Sequence, residues 1–142
     1  RGKEVTYMSM FKSKVAKVAV IFMAVAMTIV PLNAFAESQI KRPTYQNKTV
    51  YCSLDCTFYI GKDDVATATT EWAGKKGYTV KTVLWQCQDS DENYKKLGSA
   101  ISPKTAVVAN GIKGVWKFMS KHYGRVGNKD DKNTRLAVIK DW

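Results

Sequence analysis

Apolar residues occupy every second position from Lys48 to Ile60, and this alternation constrains the fold more than any other feature of the chain. Its apolar members are Val50, Cys52, Leu54, Cys56, Phe58 and Ile60. A two-residue period over this length places alternate side chains on one side of an extended backbone. The sequence therefore predicts a strand with one buried face, ended by Gly61.

The next segment is predicted to be a helix, because apolar residues recur there at helical spacing. These residues are Val65, Ala68, Trp72 and Ala73. Asp63 or Asp64 suits its N-cap, and Gly77 suits the residue that follows its last turn. A second β-rich segment, 78–88, completes a strand-helix-strand unit. Its two strands are parallel, or antiparallel with the helix as a flap.

Three further strands are predicted in the C-terminal part of the chain. Thr105–Ala109 leads into Asn110-Gly111, a strong hairpin signal, and strands follow at Val115–Tyr123 and Arg135–Trp142. A helix from Ser102 also fits the apolar spacing, although Gly111 and Gly114 would weaken it. The predicted fold class is α+β, a strand-helix-strand unit followed by an antiparallel β-meander.

The N-terminal 36 residues have the organisation of a bacterial export signal. Lys12, Lys14 and Lys17 precede an apolar run at Val18–Val30, and Ala34-Phe35-Ala36 fits a cleavage site. The run is shorter than the roughly 20 residues that cross a bilayer, so we expect cleavage after Ala36 and no stable transmembrane span; an uncleaved anchor is the alternative. Residues 1–7 are interpreted as a translated ribosome-binding site upstream of a start at Met8.

Cleavage would leave residues 37–142 as a single small domain outside a bacterial cell. This part contains 18 Lys and Arg against 11 Asp and Glu, a formal charge of +7. Such a charge attracts anionic membranes and cell-wall polymers. A protein partner is also possible on this composition, and nucleic acid is a less favoured one.

The chain has three cysteines, and disulfides are common in exported proteins. Cys52 and Cys56 lie about 13 Å apart along a strand, too far to pair with each other. We therefore expect Cys87 to pair with Cys52 or Cys56 and one thiol to remain buried.

No catalytic or metal-binding motif is apparent, so the sequence predicts no enzyme activity and no cofactor. His122 is the only histidine, and nothing in the spacing places it beside a cysteine nucleophile. The segment from Asp89 begins like a calcium loop, but Tyr94 and Ala100 stand where that loop needs Gly and Glu.

Cations and aromatic residues are interleaved most densely from Ile112 to Arg125, which we predict to bind the envelope. The candidate residues are Lys113, Trp116, Lys117, Phe118, Lys121, Tyr123 and Arg125. This combination suits anionic membranes and wall polymers, and an amphipathic strand with lysines facing outward explains it equally.

The segments from Val107 to Tyr123 and from Ala137 to Trp142 resemble LCI, a small secreted Bacillus antimicrobial peptide. The likeness lies in a turn glycine, a Trp/Phe/Ser-Lys/Tyr strand and an aromatic-acidic final strand. It covers about a third of the chain, and the cysteine region has no counterpart. The resemblance implies a bacteriocin-like antimicrobial protein; the alternative is a non-enzymatic binding module, an inhibitor or immunity factor.

Overall fold

A computed structural model describes residues 34–140, and this part of the chain folds entirely as β-strands and connections. The nine strands are Ala34–Lys41 (β1), Thr44–Tyr45 (β2), Lys48–Tyr59 (β3), Asp64–Trp72 (β4), Tyr78–Cys87 (β5), Lys95–Ser102 (β6), Thr105–Ile112 (β7), Lys117–Val126 (β8) and Lys129–Ile139 (β9). The α+β prediction was therefore wrong: residues 34–140 contain no helix, and hence none that is long and apolar enough to span a membrane.

The strands form two antiparallel sheets that pack face to face around one core. The first sheet has the order β1-β3-β4-β7, and short β2 also pairs with β3; the second has the order β6-β5-β8-β9. The expected pairing of the 48–60 and 78–88 segments in one sheet was also wrong, because β3 and β5 belong to different sheets. The chain passes between the sheets after β4, β6 and β7.

Strand β3 confirms the alternation that the sequence displays. Its odd-numbered side chains face away from the core, and Cys52, Leu54, Cys56 and Phe58 are fully buried between the sheets. Phe58 lies 5.5 Å from Phe118 of β8, measured between ring centres, so the two largest fully buried side chains meet across the sandwich.

Strand β4 occupies the segment predicted as a helix, and its inward residues explain the error. They are Asp64, Ala66, Ala68, Thr70 and Trp72, all buried. Because the inward alanines and threonines are only weakly hydrophobic, the two-residue period is hard to recognise in the sequence. The β-branched residues Val65, Thr67 and Thr69 on the other side of the strand favour an extended chain. Asp64 caps no helix: its carboxylate accepts the backbone N–H groups of Tyr59 and Val115.

The Asn110-Gly111 dipeptide does not form the predicted hairpin turn. Both residues lie inside β7, where they pair with Ala66 and Val65 of β4. The alternative helix from Ser102 is likewise absent from the described structure. The tight turn of this region is at Gly127-Asn128, and β9 begins at Lys129, so the predicted final strand starts earlier than Arg135. The β-meander was partly wrong, since β8 pairs with β9 but not with β7.

The disulfide prediction was wrong, and the pleat of the strands gives the reason. Cys52 and Cys56 point from β3 into the core, whereas Cys87 lies on the opposite side of β5, facing away from it. All three cysteines of the described chain are free and buried. Burial raises the pKa of Cys52 to about 12 and raises that of Cys56 as well, so both thiols stay protonated.

The outer edges of the two sheets come together through β1 and β9. Lys41 Nζ donates to the carbonyl oxygen of Arg135 at 3.2 Å, and Tyr45, which follows β1, donates from its hydroxyl to Asp131 at 3.0 Å. The Tyr45 ring lies so close to Gly124 that a Cβ there would be 2.3 Å from it. Only glycine allows this approach.

The predicted cleavage point after Ala36 falls inside β1, and the rest of the predicted signal segment lies outside the described residues.

Candidate functional site: a cationic sheet face

The second sheet presents a surface rich in cations and aromatic rings on the side away from the core. Residues directly opposite each other on paired strands share a face, so the register defines this surface. We call it the cationic face; its members are Lys81 and Trp85 of β5, Lys96 of β6, Lys117, Lys121, Tyr123 and Arg125 of β8, Arg135 of β9, and Tyr94, which precedes β6.

Cations of this face lie over its aromatic rings. Lys121 Nζ is 5.4 Å from the centre of the Trp85 ring, and Lys81 Nζ is 5.2 Å from that of Tyr123. Arg135 lies 5.6 Å from the Tyr94 ring. These distances suit cation–π attraction. Met119, an apolar residue of the same face, is 4% exposed.

Two carboxylates compensate part of this charge. Asp130 accepts a hydrogen bond from Lys81 at 3.0 Å and one from Arg125 at 2.7 Å. Burial alone would raise the pKa of Asp130, but these two hydrogen bonds outweigh it and leave the pKa lowered. The single carboxylate of Asp130 thus forms ion pairs with two cations. Among the described residues, Lys96, Lys121 and Arg135 have no carboxylate within 4.0 Å.

The second carboxylate belongs to the loop between β5 and β6. Glu92 accepts a hydrogen bond from Lys117 Nζ at 2.8 Å, which lowers the pKa of Glu92 and raises that of Lys117. Tyr94 donates to the same carboxylate and accepts from Arg135, so this chain of contacts joins β8 to β9. Glu92 has a φ of 57°, a conformation that non-glycine residues seldom adopt.

Exposed isoleucines border the cationic face on both edge strands. Ile101 of β6 lies opposite Lys81 and is 54% exposed, and Ile139 of β9 lies opposite Lys117 and is 45% exposed. Large exposed apolar side chains thus lie beside the cations and the indole and phenol rings of this face.

The structure brings together four of the seven residues predicted to bind the envelope: Lys117, Lys121, Tyr123 and Arg125 lie on the cationic face. Trp116 lies at its end, in the connection before β8, with its ring 5.9 Å from Lys117 Nζ. Lys113 is exposed in the same connection. Phe118 lies in the core and is fully buried, so it cannot meet a ligand.

Sequence reasoning missed the contributions from β5, β6 and β9 to this face. The residues concerned are Lys81, Trp85, Lys96 and Arg135, together with Tyr94. The alternation of Val83, Trp85 and Cys87 was visible in the sequence, but their side of the sheet depends on which strands flank β5, and that pairing is not local.

His122 lies inside the core, in a buried chain of hydroxyl groups that links the sheets. Its Nε2 is 2.8 Å from Ser120 Oγ, and its Nδ1 is 2.8 Å from Thr70 Oγ1. Thr70 Oγ1 in turn lies 2.6 Å from Thr82 Oγ1, and Thr82 donates to the carbonyl oxygen of Ala106.

Each hydroxyl has one hydrogen, so the direction of every bond in this chain follows from the last. Because Thr82 donates to Ala106, Thr70 must donate to Thr82, and His122 Nδ1–H must donate to Thr70. The remaining nitrogen, Nε2, accepts from Ser120. Burial lowers the pKa of His122 to about 4, which keeps the ring neutral and this arrangement intact at pH 7.

The Ser120–His122 pair has the bonding of a nucleophile and its general base but not the access that a substrate needs. Ser120 is fully buried and His122 is 2% exposed. The pair instead connects β8 to β4 through Thr70. Within residues 34–140, no cluster of His, Cys, Asp and Glu is arranged to hold a metal ion.

Comparison of the chain with protein-family models, with curated proteins and with solved structures returns no match.

Proposed function

We propose that this protein is a secreted, antimicrobial protein of the bacteriocin-like kind that binds anionic bacterial membranes through the cationic face. The observation that carries the proposal is the concentration of incompletely neutralised cations, held over Trp and Tyr rings, on one side of the second sheet. The export-type N-terminal segment and the resemblance of the C-terminal third to LCI add to it.

Electrostatics would supply the first step of binding. A lysine or arginine near an anionic membrane contributes about 1 kcal/mol, and salt weakens that contribution. Lys96, Lys121 and Arg135 are the cations best placed for it, because none has a carboxylate partner in the described structure.

Aromatic and aliphatic side chains would supply the second step. Trp85 and Tyr123 combine an apolar ring with a polar group, which suits the headgroup region of a bilayer. Ile101 and Ile139 are on the same surface and expose enough apolar area to enter the boundary of the acyl chains. No rearrangement of the core is needed for either contact.

The test is binding to vesicles, combined with dye release. Phosphatidylglycerol vesicles are compared with phosphatidylcholine vesicles at low and high salt. We expect binding and release with the anionic vesicles only, and suppression by salt. The double variant Lys121→Gln/Arg135→Gln should lose most of the binding, whereas Arg42→Gln/Lys62→Gln, with the same charge change away from this face, should keep it.

An equal loss of vesicle binding in both double variants would show that net charge rather than this face is responsible. If anionic vesicles are not bound at all, the membrane proposal fails. Retention on purified wall polymer, or a stoichiometric complex with one protein, would then identify the other class of ligand that the charge and composition of the chain suit.

A further inference from the structure

A hollow opens at one end of the sandwich, where three connections between strands meet. Its walls are the β4–β5 loop, the β6–β7 turn at Pro103 and Lys104, and the β8–β9 turn at Gly127 and Asn128, with the start of β5 between them. It is a wide concavity, open to solvent, with a volume of about 660 Å³, within the range of small-molecule sites. The cationic face lies beside it but does not form it.

The charge in the hollow is of one sign. Lys75, Lys76 and Lys104 line it, and no acidic residue does. In the described chain none of these three ammonium groups has a carboxylate within 4.0 Å. Lys75 Nζ lies 5.3 Å from the centre of the Tyr78 ring, which also lines the hollow. Three lysines without a carboxylate partner therefore line one concavity.

A buried hydroxyl without a partner lies in the wall of the hollow. Thr79 lines it, and Thr79 Oγ1 is shielded from solvent and makes no hydrogen bond. Buried polar atoms almost always have a partner. Of the four exceptions in the described chain, Thr79 Oγ1 is the one whose residue lines the hollow. A rotation about its Cα–Cβ bond would turn this hydroxyl into the hollow, where it could donate to a ligand oxygen, and the rotation breaks no existing hydrogen bond.

The walls are fixed by main-chain contacts, so the hollow does not depend on the lysines for its shape. Trp72 N donates to the Lys104 carbonyl oxygen at 2.8 Å, and Gly127 N donates to that of Gly77 at 3.4 Å. Gly74 has a φ of 84°, and a Cβ there would lie 3.1 Å from the Lys104 side chain. Glycine is thus required where the β4–β5 loop meets the β6–β7 turn.

We propose that this hollow is a binding site for a phosphate group, distinct from the cationic face and independent of the function proposed above. Three lysines and a free hydroxyl match a tetrahedral oxyanion, since lysine binds phosphate as a compact point charge and a hydroxyl donates to one of its oxygens. The phosphate comes either from a phosphorylated solute or from the phosphodiester of an envelope lipid or polymer.

The test is an NMR titration of the full chain with inorganic pyrophosphate at constant ionic strength. The backbone amides of Gly74, Gly77, Thr79 and Gly127 should shift along saturable curves. Lys75→Gln/Lys104→Gln should weaken binding by about tenfold or more, and Thr79→Val should weaken it less while leaving the fold intact. Arg42→Gln/Lys62→Gln is the charge-matched control and should bind as the unchanged protein does.

Two results would overturn this site: shifts that rise linearly without saturation, or equal loss of affinity in both double variants. A parallel titration with glycerophosphoglycerol identifies the source. Saturation with both probes assigns a phosphodiester, and saturation with pyrophosphate alone assigns a phosphorylated solute. Lys121→Gln/Arg135→Gln should retain pyrophosphate binding, and Lys75→Gln/Lys104→Gln should retain vesicle binding, so failure of one proposal does not affect the other.

Discussion

Lys121 Nζ lies 5.4 Å from the centre of the Trp85 ring, on the strand next to its own. The two residues are diagonal neighbours, because Lys121 pairs with Val83 and Trp85 pairs with Met119. The pair places a positive charge and an indole side by side at the centre of the cationic face. A similar pair lies away from this face and provides a control: Arg42, which follows β1, is 5.4 Å from the ring centre of Tyr51 in β3.

Replacing Trp85 by alanine should weaken binding to phosphatidylglycerol vesicles by about tenfold, since an interfacial aromatic side chain and its cation–π contact contribute about 1–2 kcal/mol. Trp85→Phe should lose less, because it keeps a ring beneath Lys121. Tyr51→Ala should bind normally. The measurement is vesicle co-sedimentation, and equal losses in Trp85→Ala and Tyr51→Ala would contradict a role for this face.

The three cysteines should be reduced in the native protein and unreactive towards a thiol reagent until the protein unfolds. Cys52 and Cys56 are core residues, and Cys87 Sγ donates to the Asp89 carbonyl oxygen at 2.9 Å. A reducing agent should leave the melting temperature unchanged. A native mass lower by two hydrogens, together with a lower melting temperature on reduction, would mean that a disulfide forms.

The free energy of unfolding should fall as the pH drops from about 6.5 to 4. The native state holds His122 neutral with a pKa of about 4, whereas the unfolded chain takes up a proton near 6.5. The unfolded state binds more protons in this window, so stability is complete above pH 6.5 and declines below it, by about 3 kcal/mol in all.

Other titrating groups near the ring do not obscure this window. Tyr45 and Cys52 line the crevice beside His122, and each has a pKa of about 12. The pKa values of Glu92 and Asp130 are lowered, so their contributions are lost at more acidic pH. Urea unfolding at several pH values measures the slope, and His122→Gln should flatten it. An unchanged slope in that variant would exclude His122 as the cause.

Ser120→Ala should destabilise the protein by about 1–3 kcal/mol, because it leaves the buried Nε2 of His122 without a donor. Denaturant unfolding at pH 7 measures the loss. Since Ser120 is fully buried, a fluorophosphonate probe for active serines should not label the native protein. Labelling of the native protein that disappears in Ser120→Ala would instead reveal an accessible nucleophile.

Loss of residues 34–36 should destabilise the fold by about 1–3 kcal/mol, the scale for burial of one aromatic side chain. Phe35 packs on the core with its ring 6.0 Å from that of Phe58, and residues 34–36 pair with the end of β3. Thermal unfolding of chains that begin at Ala34 and at Glu37 measures the difference. Equal melting temperatures would show that β1 tolerates cleavage after Ala36.

The sequence predicted the strands whose pattern is local. The alternation in β3 was correct. In β8, Phe118 was grouped with Lys117 and Lys121 as an envelope-binding residue, but it points into the core, whereas the two lysines point away from it. The error in β4 arose because its inward side chains are mostly alanine and threonine, which carry little hydrophobic contrast. The Asn110-Gly111 signal failed because β7 pairs with β4, more than 30 residues earlier in the chain.

Only part of the candidate site could be predicted, because strand pairing between distant segments does not follow from local sequence patterns. The β8 residues of the cationic face lie in one short segment and were found, whereas Trp85 and Arg135 are distant in sequence and reach the face through pairing with β8. The cysteine prediction required knowing that β5 turns Cys87 away from the core. Neither fact follows from composition or periodicity.

The contact of β1 with β9 bears on how the chain folds. Lys41 contacts Arg135, which lies 94 positions later in the chain, so this closure carries a larger loss of chain entropy than any hairpin between the described strands. The β8–β9 hairpin can form from local sequence alone, whereas the β1–β9 contact forms only when these two distant strands come together. We expect folding on the slow, millisecond-to-second scale of non-local β-proteins, with the β1 edge the last to gain protection from hydrogen exchange.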